Sequence, residues 1–278
     1  MRSGLSAFRT LLRAVLIVLL ALICIFPVYW MIVTALIPLE QLFNKPPVMT
    51  PDPANIDTFV DAVTNTPLLR WFGNSGLVAM GVSVLSVFLG ILAGYALSRY
   101  RFRGKMGFGF LLFASQMLPE SLVLVPLYAL FVAAGLLNNL GGLVIANTVF
   151  IMPVVAWIVK AAIDGVPYEL DEAARIDGAG TVGTLSMVIL PLVVPSVAAG
   201  AVIAFFYGWN EYLFAATFIT RDSMWTASVG ISSFIGQYVT PLDVVFAAAT
   251  LYAVIPIIFY LFAERWLVTG ITRGAVKG

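Results

Sequence analysis

The chain alternates between long apolar stretches and short clusters of charged residues, and this spacing predicts its topology. Stretches without any charge occupy 14–39, 71–98, 178–210 and 244–263, and the longer stretch 106–159 carries Glu120 alone. Because a membrane-spanning helix needs about 20 mostly apolar residues, each shorter stretch holds one span. The longer stretch holds two, since Gly and Asn residues at 135–142 indicate a turn within it. The predicted spans are about 14–36, 74–97, 107–132, 142–163, 192–214 and 245–266.

These spans are predicted to be helices and not strands of a β-barrel. Ala14–Ile25 is continuously apolar, whereas the strands of a membrane barrel alternate with a period of two residues. The first span is too long for the apolar region of a signal peptide, so we expect it to be retained as an anchor. The expected fold class is an all-α membrane protein with six transmembrane helices.

The distribution of Lys and Arg predicts the orientation in the membrane, because cytoplasmic loops carry an excess of both. If the N-terminus is inside, twelve basic residues fall on one side and three on the other, out of 15. Both termini are therefore expected in the cytoplasm of a multi-pass cell-membrane protein. The larger group is Arg2, Arg9, Arg13, Arg99, Arg101, Arg103, Lys105, Lys160, Arg175, Arg265, Arg273 and Lys277, and the smaller group is Lys45, Arg70 and Arg221.

The composition agrees with a membrane protein and excludes several functions. Hydrophobic residues make up 61% of the 278 residues and charged residues only 10%, compared with about 25% charged residues in soluble domains. A formal net charge of +1 argues against nucleic-acid binding. The chain has no His and a single Cys, which removes His-based triads, His metal sites and intrachain disulfides. We predict neither a catalytic residue nor a metal site.

The segment between the fourth and fifth spans, on the expected cytoplasmic side, has the pattern of two short helices joined by a glycine turn. Pro167 can begin a helix, and Glu169, Asp171 and Glu172 suit the positive end of its dipole. Asp177-Gly178 is typical of a helix stop, because Gly tolerates the left-handed conformation. A second helix is predicted from Thr181, with an apolar stripe formed by Val182, Leu185 and Ile189. An apolar stripe and ordered charges outside the membrane indicate a docking surface for a cytoplasmic protein.

The same segment contains a G-x-G-x-x-G sequence, from Gly178 to Gly183. A dinucleotide-binding site needs a preceding strand and a βαβ unit, whereas a helix precedes this sequence and a membrane span follows it. No phosphate-binding G-x-x-x-x-G-K-[ST] sequence occurs. If nucleotide hydrolysis drives this protein, another chain performs it.

The segment resembles the EAA loop of ABC importer inner-membrane subunits. The family pattern of E-A-A, a Gly four residues later and then I-x-L-P appears here as Glu172-Ala173-Ala174, Gly178 and Ile189-Leu190-Pro191. The last element is one residue shorter than the strict pattern, and Leu185 stands where an aromatic residue is common. The resemblance implies a coupling loop over about 164–191. The residues implied to contact or orient the ATPase are Glu172, Ala173, Ala174, Asp177, Gly178 and Leu185.

Three further stretches resemble carbohydrate importers and extend the similarity over nearly the whole chain. They are 93–104 at the end of the second span, 209–214 with the sequence Trp-Asn-Glu-Tyr-Leu-Phe, and the tail 272–278. The chain most resembles the smaller, six-span permease of a maltose-transporter-like pair. This implies alternating access driven by ATP. The implied partners are a second permease subunit, two ATP-binding subunits that hold ATP and Mg, and an extracytoplasmic solute-binding protein, with no cofactor in this chain.

Polar side chains at membrane depth are the candidates for the substrate path, because burying them in a bilayer is costly. Amide, carboxylate and aromatic groups are what sugar hydroxyls and pyranose faces require. The alternative role is helix packing or contact with the partner subunit. The candidates are Glu120, Asn147, Asn210, Glu211 and Tyr212. Of these, Asn210 and Glu211 are the expected sugar contacts, and Glu120 is expected to be structural.

Three other functions stay open at this point. An ABC importer for a polyol, glycerol phosphate or another polar solute would share every feature above, although a phosphate group should require Lys or Arg within the spans. A stand-alone secondary transporter or channel would leave the docking segment without a role. An intramembrane enzyme would need a Ser/Lys or paired Asp arrangement, which the spans lack.

The orientation can be tested by cysteine labelling in intact cells after Cys24 has been replaced. Asp52→Cys and Asp222→Cys should react with a membrane-impermeant thiol reagent, because both positions are expected outside. Gly178→Cys should react only after the cells are opened. Labelling of position 178 without labelling of position 52 would contradict the predicted topology.

Overall fold

The computed structural model describes residues 2–51, 54–236 and 240–275, with the side chains of 2–8 and 265–275 left out of the description. Every regular element in these ranges is helical, as the fold class predicts. Asp52, a labelling position, and the last three residues of the tail lie outside the described residues. The helices are α1 (Arg2–Leu36), α2 (Asp57–Thr64), α3 (Leu68–Arg99), α4 (Lys105–Ser115), α5 (Glu120–Ala133), α6 (Leu140–Asp164), α7 (Glu169–Ile176), α8 (Thr181–Asn210), α9 (Leu213–Phe218), α10 (Ala227–Ser232) and α11 (Leu242–Ala275).

Among the described residues, five helices are long and apolar enough to cross a bilayer, and they are α1, α3, α6, α8 and α11. The third span differs from the continuous helix predicted for 107–132. It consists of α4 and α5, which are bent by 103° at a short break. The break covers residues 116–119 and ends at Pro119. Proline lacks a backbone N–H and disfavours helical geometry in the residue before it. Glu120 therefore begins a new helix instead of lying in the middle of a continuous one.

The fifth span also differs from its predicted start near 192. Helix α8 runs without interruption from Thr181 to Asn210, so the short helix predicted after Gly178 and the fifth span are one element. Its residues Thr184–Ile189 form a π-helical turn, in which the N–H of Leu190 bonds to the carbonyl of Leu185. Such turns insert one extra residue into an α-helix.

The chain divides into two compact units. The first contains 1–68 and 231–254, and the second contains 69–230 and 255–278. In the first unit, the apolar side chains of α1 from Leu11 to Ile25 are largely exposed. The hydroxyl of Tyr29 donates to the carbonyl of Met49, and the N–H of Asn55 donates to the carbonyl of Leu36 at 2.8 Å. These bonds connect the end of α1 to the segment that leads to α2.

The second unit is built around α6, whose residues Leu143, Val155, Val159 and Ile163 are fully buried. Glycines allow its neighbours to approach closely. A Cβ added to Gly90 or Gly94 of α3 would come within 3.0 Å of atoms of α6, and one added to Gly200 of α8 would lie 3.2 Å from Val155. Gly90 and Gly94 are four residues apart, the small-residue spacing that brings membrane helices together.

The Gly and Asn residues after α5 form the turn that the sequence predicts between α5 and α6. Gly135 and Asn138 both have positive φ, at 66° and 52°, which these residue types tolerate. The Asn139 side chain caps α6 by accepting the N–H of Gly141 at 2.8 Å. The Asn138 carbonyl oxygen Oδ1 accepts the N–H of Thr220 at 2.8 Å. This turn therefore anchors the loop that follows α9.

A buried ion pair fixes the position of α7. The Nε atom of Arg99, the last residue of α3, lies 3.0 Å from Oδ2 of Asp171, and the two side chains are 8% and 0% exposed. The same guanidinium donates to the carbonyl of Val166 at 2.8 Å and lies 5.6 Å from the centre of the Tyr168 ring. Asp171 was expected only to favour the helix dipole, but its side chain joins α7 to the end of α3.

Loss of this ion pair should destabilise the protein. Asp171→Asn leaves a buried guanidinium without its counter-charge, which typically costs about 3–5 kcal/mol. Asp164→Asn is a suitable control, since Asp164 also forms an ion pair, with Lys160 at 2.6 Å, but is 36% exposed. Exposed pairs contribute about 0–1 kcal/mol. Thermal unfolding in detergent should show a clearly lower Tm for Asp171→Asn, and equal Tm values for the two variants would contradict the assigned role.

Candidate functional site

The turn between α7 and α8 has a defined geometry that orients both helices. Gly178 has φ of 87°, the left-handed conformation. Its N–H bonds to the carbonyl of Arg175 at 3.1 Å, and the N–H of Ala179 bonds to the carbonyl of Ala174 at 2.9 Å. This pair of bonds is the Schellman motif, which satisfies the last carbonyls of a helix. Tyr100 adds a bond from its hydroxyl to Oγ1 of Thr181 at 3.1 Å, which connects the start of α8 to the residue after α3.

The residues that the resemblance implies for coupling divide into an exposed set and a buried set. Glu172, Ala173, Asp177 and Gly178 are exposed. Ala174 is buried. An exposed acidic side chain beside a rigid turn is accessible to another protein, whereas Ala174 serves the packing of α7.

Only part of the apolar stripe predicted on the second helix is exposed. Ile189 is fully buried and the half-buried Leu185 packs against the core, while Val182 is 77% exposed. The π-helical turn at Thr184–Ile189 changes the register of side chains within the stripe, which an α-helical periodicity does not anticipate. The most exposed apolar side chains of the segment are instead Val182, Ile176 at 86% and Met187 at 70%. Together with Glu172 and Asp177, they form the loop surface of this segment.

A second candidate region lies where α4 and α5 break. An open cavity of about 530 Å³ is bounded by the start of α5, the end of α8 and the residues that follow it. Irregular backbone at membrane depth is tolerated where it is buried in protein or lines a cavity. The cavity brings together four of the five predicted substrate-path residues. Its polar lining residues are Glu120, Tyr207, Asn210, Glu211 and Tyr212.

Glu211 has a structural role in this cavity. Its carboxylate accepts the N–H of Phe214 and, at 3.1 Å, the N–H of Ala215, so it caps the first turn of α9. The Asn147 side chain lies within hydrogen-bonding reach of the same carboxylate and also donates to the carbonyl of Leu143 at 2.8 Å. Both Glu211 and Asn147 are buried. The side chains that face the cavity with greater exposure are Asn210 and Tyr212.

Tyr207 is a site residue that the sequence analysis missed. Its hydroxyl donates to Oε1 of Glu120 and thereby connects α8 to the first residue of α5. Nearby, the amide of Gln116 donates to the carbonyl of Phe150 at 2.7 Å, which connects the break to α6. Tyr207 lies four residues before Glu211, the residue that follows the end of α8. A search for tyrosines one turn from intramembrane acids would have identified it.

The cavity offers hydroxyl, amide and carboxylate groups beside the Phe206 ring. These groups donate and accept hydrogen bonds and pack against apolar faces, which suits binding and passage of a polar, uncharged solute. No group of three or more His, Cys, Asp or Glu side chains within the described ranges is arranged to hold a metal ion.

Solved structures and curated relatives place this architecture among known transporters. The protein is similar in fold to a bacterial ABC transporter involved in the import of the acidic polysaccharide alginate, with a TM-score of 0.80, 19% identity and coverage of 93% of this chain and 96% of that one. It is 31% identical to the inner membrane ABC transporter permease protein YcjP of Escherichia coli, over 94% of both chains. The trehalose/maltose transport system permease protein MalG of Thermococcus litoralis is also 31% identical over 94% of both chains.

The family match covers both candidate regions. Residues 86–273 match the family described as binding-protein-dependent transport system inner membrane component. The matched range includes the Schellman turn, the loop surface and the cavity. The chain therefore belongs to this family of multi-pass inner-membrane proteins, the permease subunits of ABC transporters.

Proposed function

We propose that this permease imports a sugar or oligosaccharide by alternating access, driven by ATP hydrolysis on separate subunits. The observation that supports this most directly is the placement of two features along α8. The helix begins at the exposed loop surface and ends at the polar cavity. At about 1.5 Å per residue, its 30 residues span about 45 Å, enough to cross the bilayer with some length outside.

The loop surface is the proposed docking site for the ATP-binding subunits. An exposed apolar group flanked by acidic side chains fits a protein groove with basic residues at its edge. Movement of a docked α7 would reach α3 through the Arg99–Asp171 ion pair and α8 through the Schellman turn. ATP and Mg would be held entirely by the two partner subunits. The remaining partners would be a second permease subunit and an extracytoplasmic solute-binding protein.

This arrangement requires the loop surface and both termini to face the cytoplasm. The basic residues near the loop support that orientation. Arg99 bonds to Val166, Ser98 bonds to Asp164, and Lys105 bonds to the carbonyl of Tyr100 at 3.0 Å, so the ends of α3 and α6 and the start of α4 lie together. The cavity residues Asn210 and Glu211 then lie towards the outer side, at the far end of α8.

The sugar class is supported by the cavity and by one named relative. Asn210, Tyr212, Tyr207 and Glu120 supply the neutral and acidic hydrogen-bonding groups that sugar hydroxyls use. MalG, with the same coverage as YcjP, is named for trehalose and maltose. A glycerol phosphate substrate is disfavoured, because no Lys or Arg occurs among the described residues that line the cavity.

The coupling proposal predicts different results for two glycines in the same turn. Gly178→Ala places a Cβ at φ of 87°, which costs about 1–2 kcal/mol and should weaken coupling. Gly180→Ala is the matched control, since its φ is −72° and an added Cβ meets nothing within 4 Å. Substrate-stimulated ATPase of the reconstituted transporter should fall for Gly178→Ala and stay unchanged for Gly180→Ala.

Charge reversal at Glu172→Lys should also reduce stimulated ATPase while the chain still inserts. Asp57→Lys, an exposed acid in α2, controls for the change in net charge. Normal coupling in both Gly178→Ala and Glu172→Lys would remove the docking assignment.

The substrate proposal separates Asn210 from Glu211. Loss of one neutral hydrogen bond costs about 0.5–1.5 kcal/mol, so Asn210→Ala should lower uptake at limiting sugar by about two- to tenfold, to different extents for two related sugars. Glu211→Ala removes a helix cap and should instead lower Tm without distinguishing sugars. Asn65→Ala, an exposed amide beyond α2, is the control. Equal losses for both sugars in Asn210→Ala would make Asn210 a packing residue.

A further inference from the structure

A second, larger cavity lies between α4 and α6, separate from the polar cavity. Its volume is about 1240 Å³ and its walls are almost entirely apolar. The main apolar contributors are Phe102, Met106, Phe110, Phe113, Val154 and Trp157. Gly107 and Gly109 also line the cavity and have no side chain to fill it. A Cβ at Gly107 would meet nothing within 4 Å, and one at Gly109 would lie 3.7 Å from the Trp157 ring. We call this cavity the α4–α6 groove. Nothing in the transport proposal uses it.

The groove has two cations in its wall, and they differ in their surroundings. Lys160 forms the ion pair with Asp164 and lies 5.6 Å from the centre of the Trp157 ring. The Nζ atom of Lys105 donates to the carbonyl of Tyr100 at 3.0 Å. Across the part of the chain that the structure describes, no carboxylate lies within ion-pair distance of Lys105. The residues Arg101 and Arg103, which precede it in sequence, are exposed.

We propose that the α4–α6 groove binds one anionic glycerophospholipid, with its acyl chains along the apolar walls and its phosphate at Lys105. The bound molecule must match both the apolar walls and the positive charge of Lys105. An apolar helix would cover the walls but leave the Lys105 charge without a counter-charge, and a soluble anion would leave the walls exposed. A phospholipid with a net negative headgroup supplies long hydrocarbon chains and an anion at one end. Basic pockets between transmembrane helices bind such headgroups in other membrane proteins.

The charge at Lys105 gives the site a measurable preference. Each Lys or Arg near an anionic lipid surface contributes about 1 kcal/mol, or about a fivefold change in affinity. The groove should therefore select phosphatidylglycerol, whose headgroup has a net negative charge, over phosphatidylcholine, whose headgroup has none. The acyl chains of both lipids contact the same apolar walls and should not contribute to the preference. Replacement of Lys105 should reduce this selectivity without affecting the polar cavity.

Native mass spectrometry of the full-length chain, with whatever subunits purify with it, tests the site. The protein is reconstituted in phosphatidylcholine containing a minor fraction of phosphatidylglycerol and then released from the bilayer. Wild type should retain one phosphatidylglycerol well above its bulk fraction. Lys105→Gln should lower that retention about fivefold, and Lys105→Arg should preserve it, since Arg keeps the charge.

A second pair of variants tests the groove itself. Gly107→Trp should fill the groove and remove the retained lipid. Gly73→Trp is the matched control, because Gly73 is an exposed glycine of α3 at which a Cβ also meets nothing within 4 Å, and it should retain the lipid. Equal retention of the two lipid classes by wild type would overturn the proposal, as would unchanged retention in Gly107→Trp. If wild type retained no lipid and Gly107→Trp no longer purified with a second permease subunit, the groove would be the binding site of that subunit instead.

Discussion

The contact between Arg99 and Asp171 is the constraint on which the arrangement of the loop depends. Two opposite charges removed from water are stable only when they remain paired and hydrogen-bonded. The Arg99 guanidinium is paired with the Asp171 carboxylate at 3.0 Å, donates a hydrogen bond to the Val166 carbonyl and lies 5.6 Å from the centre of the Tyr168 ring. The end of α3 and the first turns of α7 are therefore fixed to each other. The buried pair therefore also positions the exposed residues of the loop surface, although none of these residues belongs to the pair.

Most of the helical architecture follows from the distribution of charge, because a bilayer excludes charged groups and requires satisfied backbone hydrogen bonds. The same reasoning could not locate the break at Pro119. One acid within a long apolar stretch is compatible with either a continuous span or two helices that meet at a cavity. Nor could the absence of charge show that the short helix predicted after Gly178 and the fifth span form one helix, since Gly180–Ile189 is uncharged.

The candidate sites show a comparable division. The cost of placing polar groups in lipid predicted Glu120, Asn210, Glu211 and Tyr212 as substrate-path residues, and these four residues line one cavity. Their individual roles depend on contacts that have no sequence signature. Glu211 caps α9 through two backbone N–H groups, and Tyr207 reaches Glu120 across two helices. Similarly, the stripe formed by Val182, Leu185 and Ile189 is regular in sequence, but the π-helical turn places Ile189 in the core.

That π-helical turn has a consequence for how α8 can vary in length. An α-helix advances about 100° per residue, so an ordinary deletion rotates everything beyond it and moves buried side chains to the wrong face. In Thr184–Ile189 the helix already holds one residue more than an α-helical turn requires. Removal of one residue there would convert the turn to α-helix while the faces of Val193 and Gly200 stay in phase with Val182. Homologous chains can therefore differ by one residue between the Gly178 turn and the membrane core and still present the same surfaces at both ends.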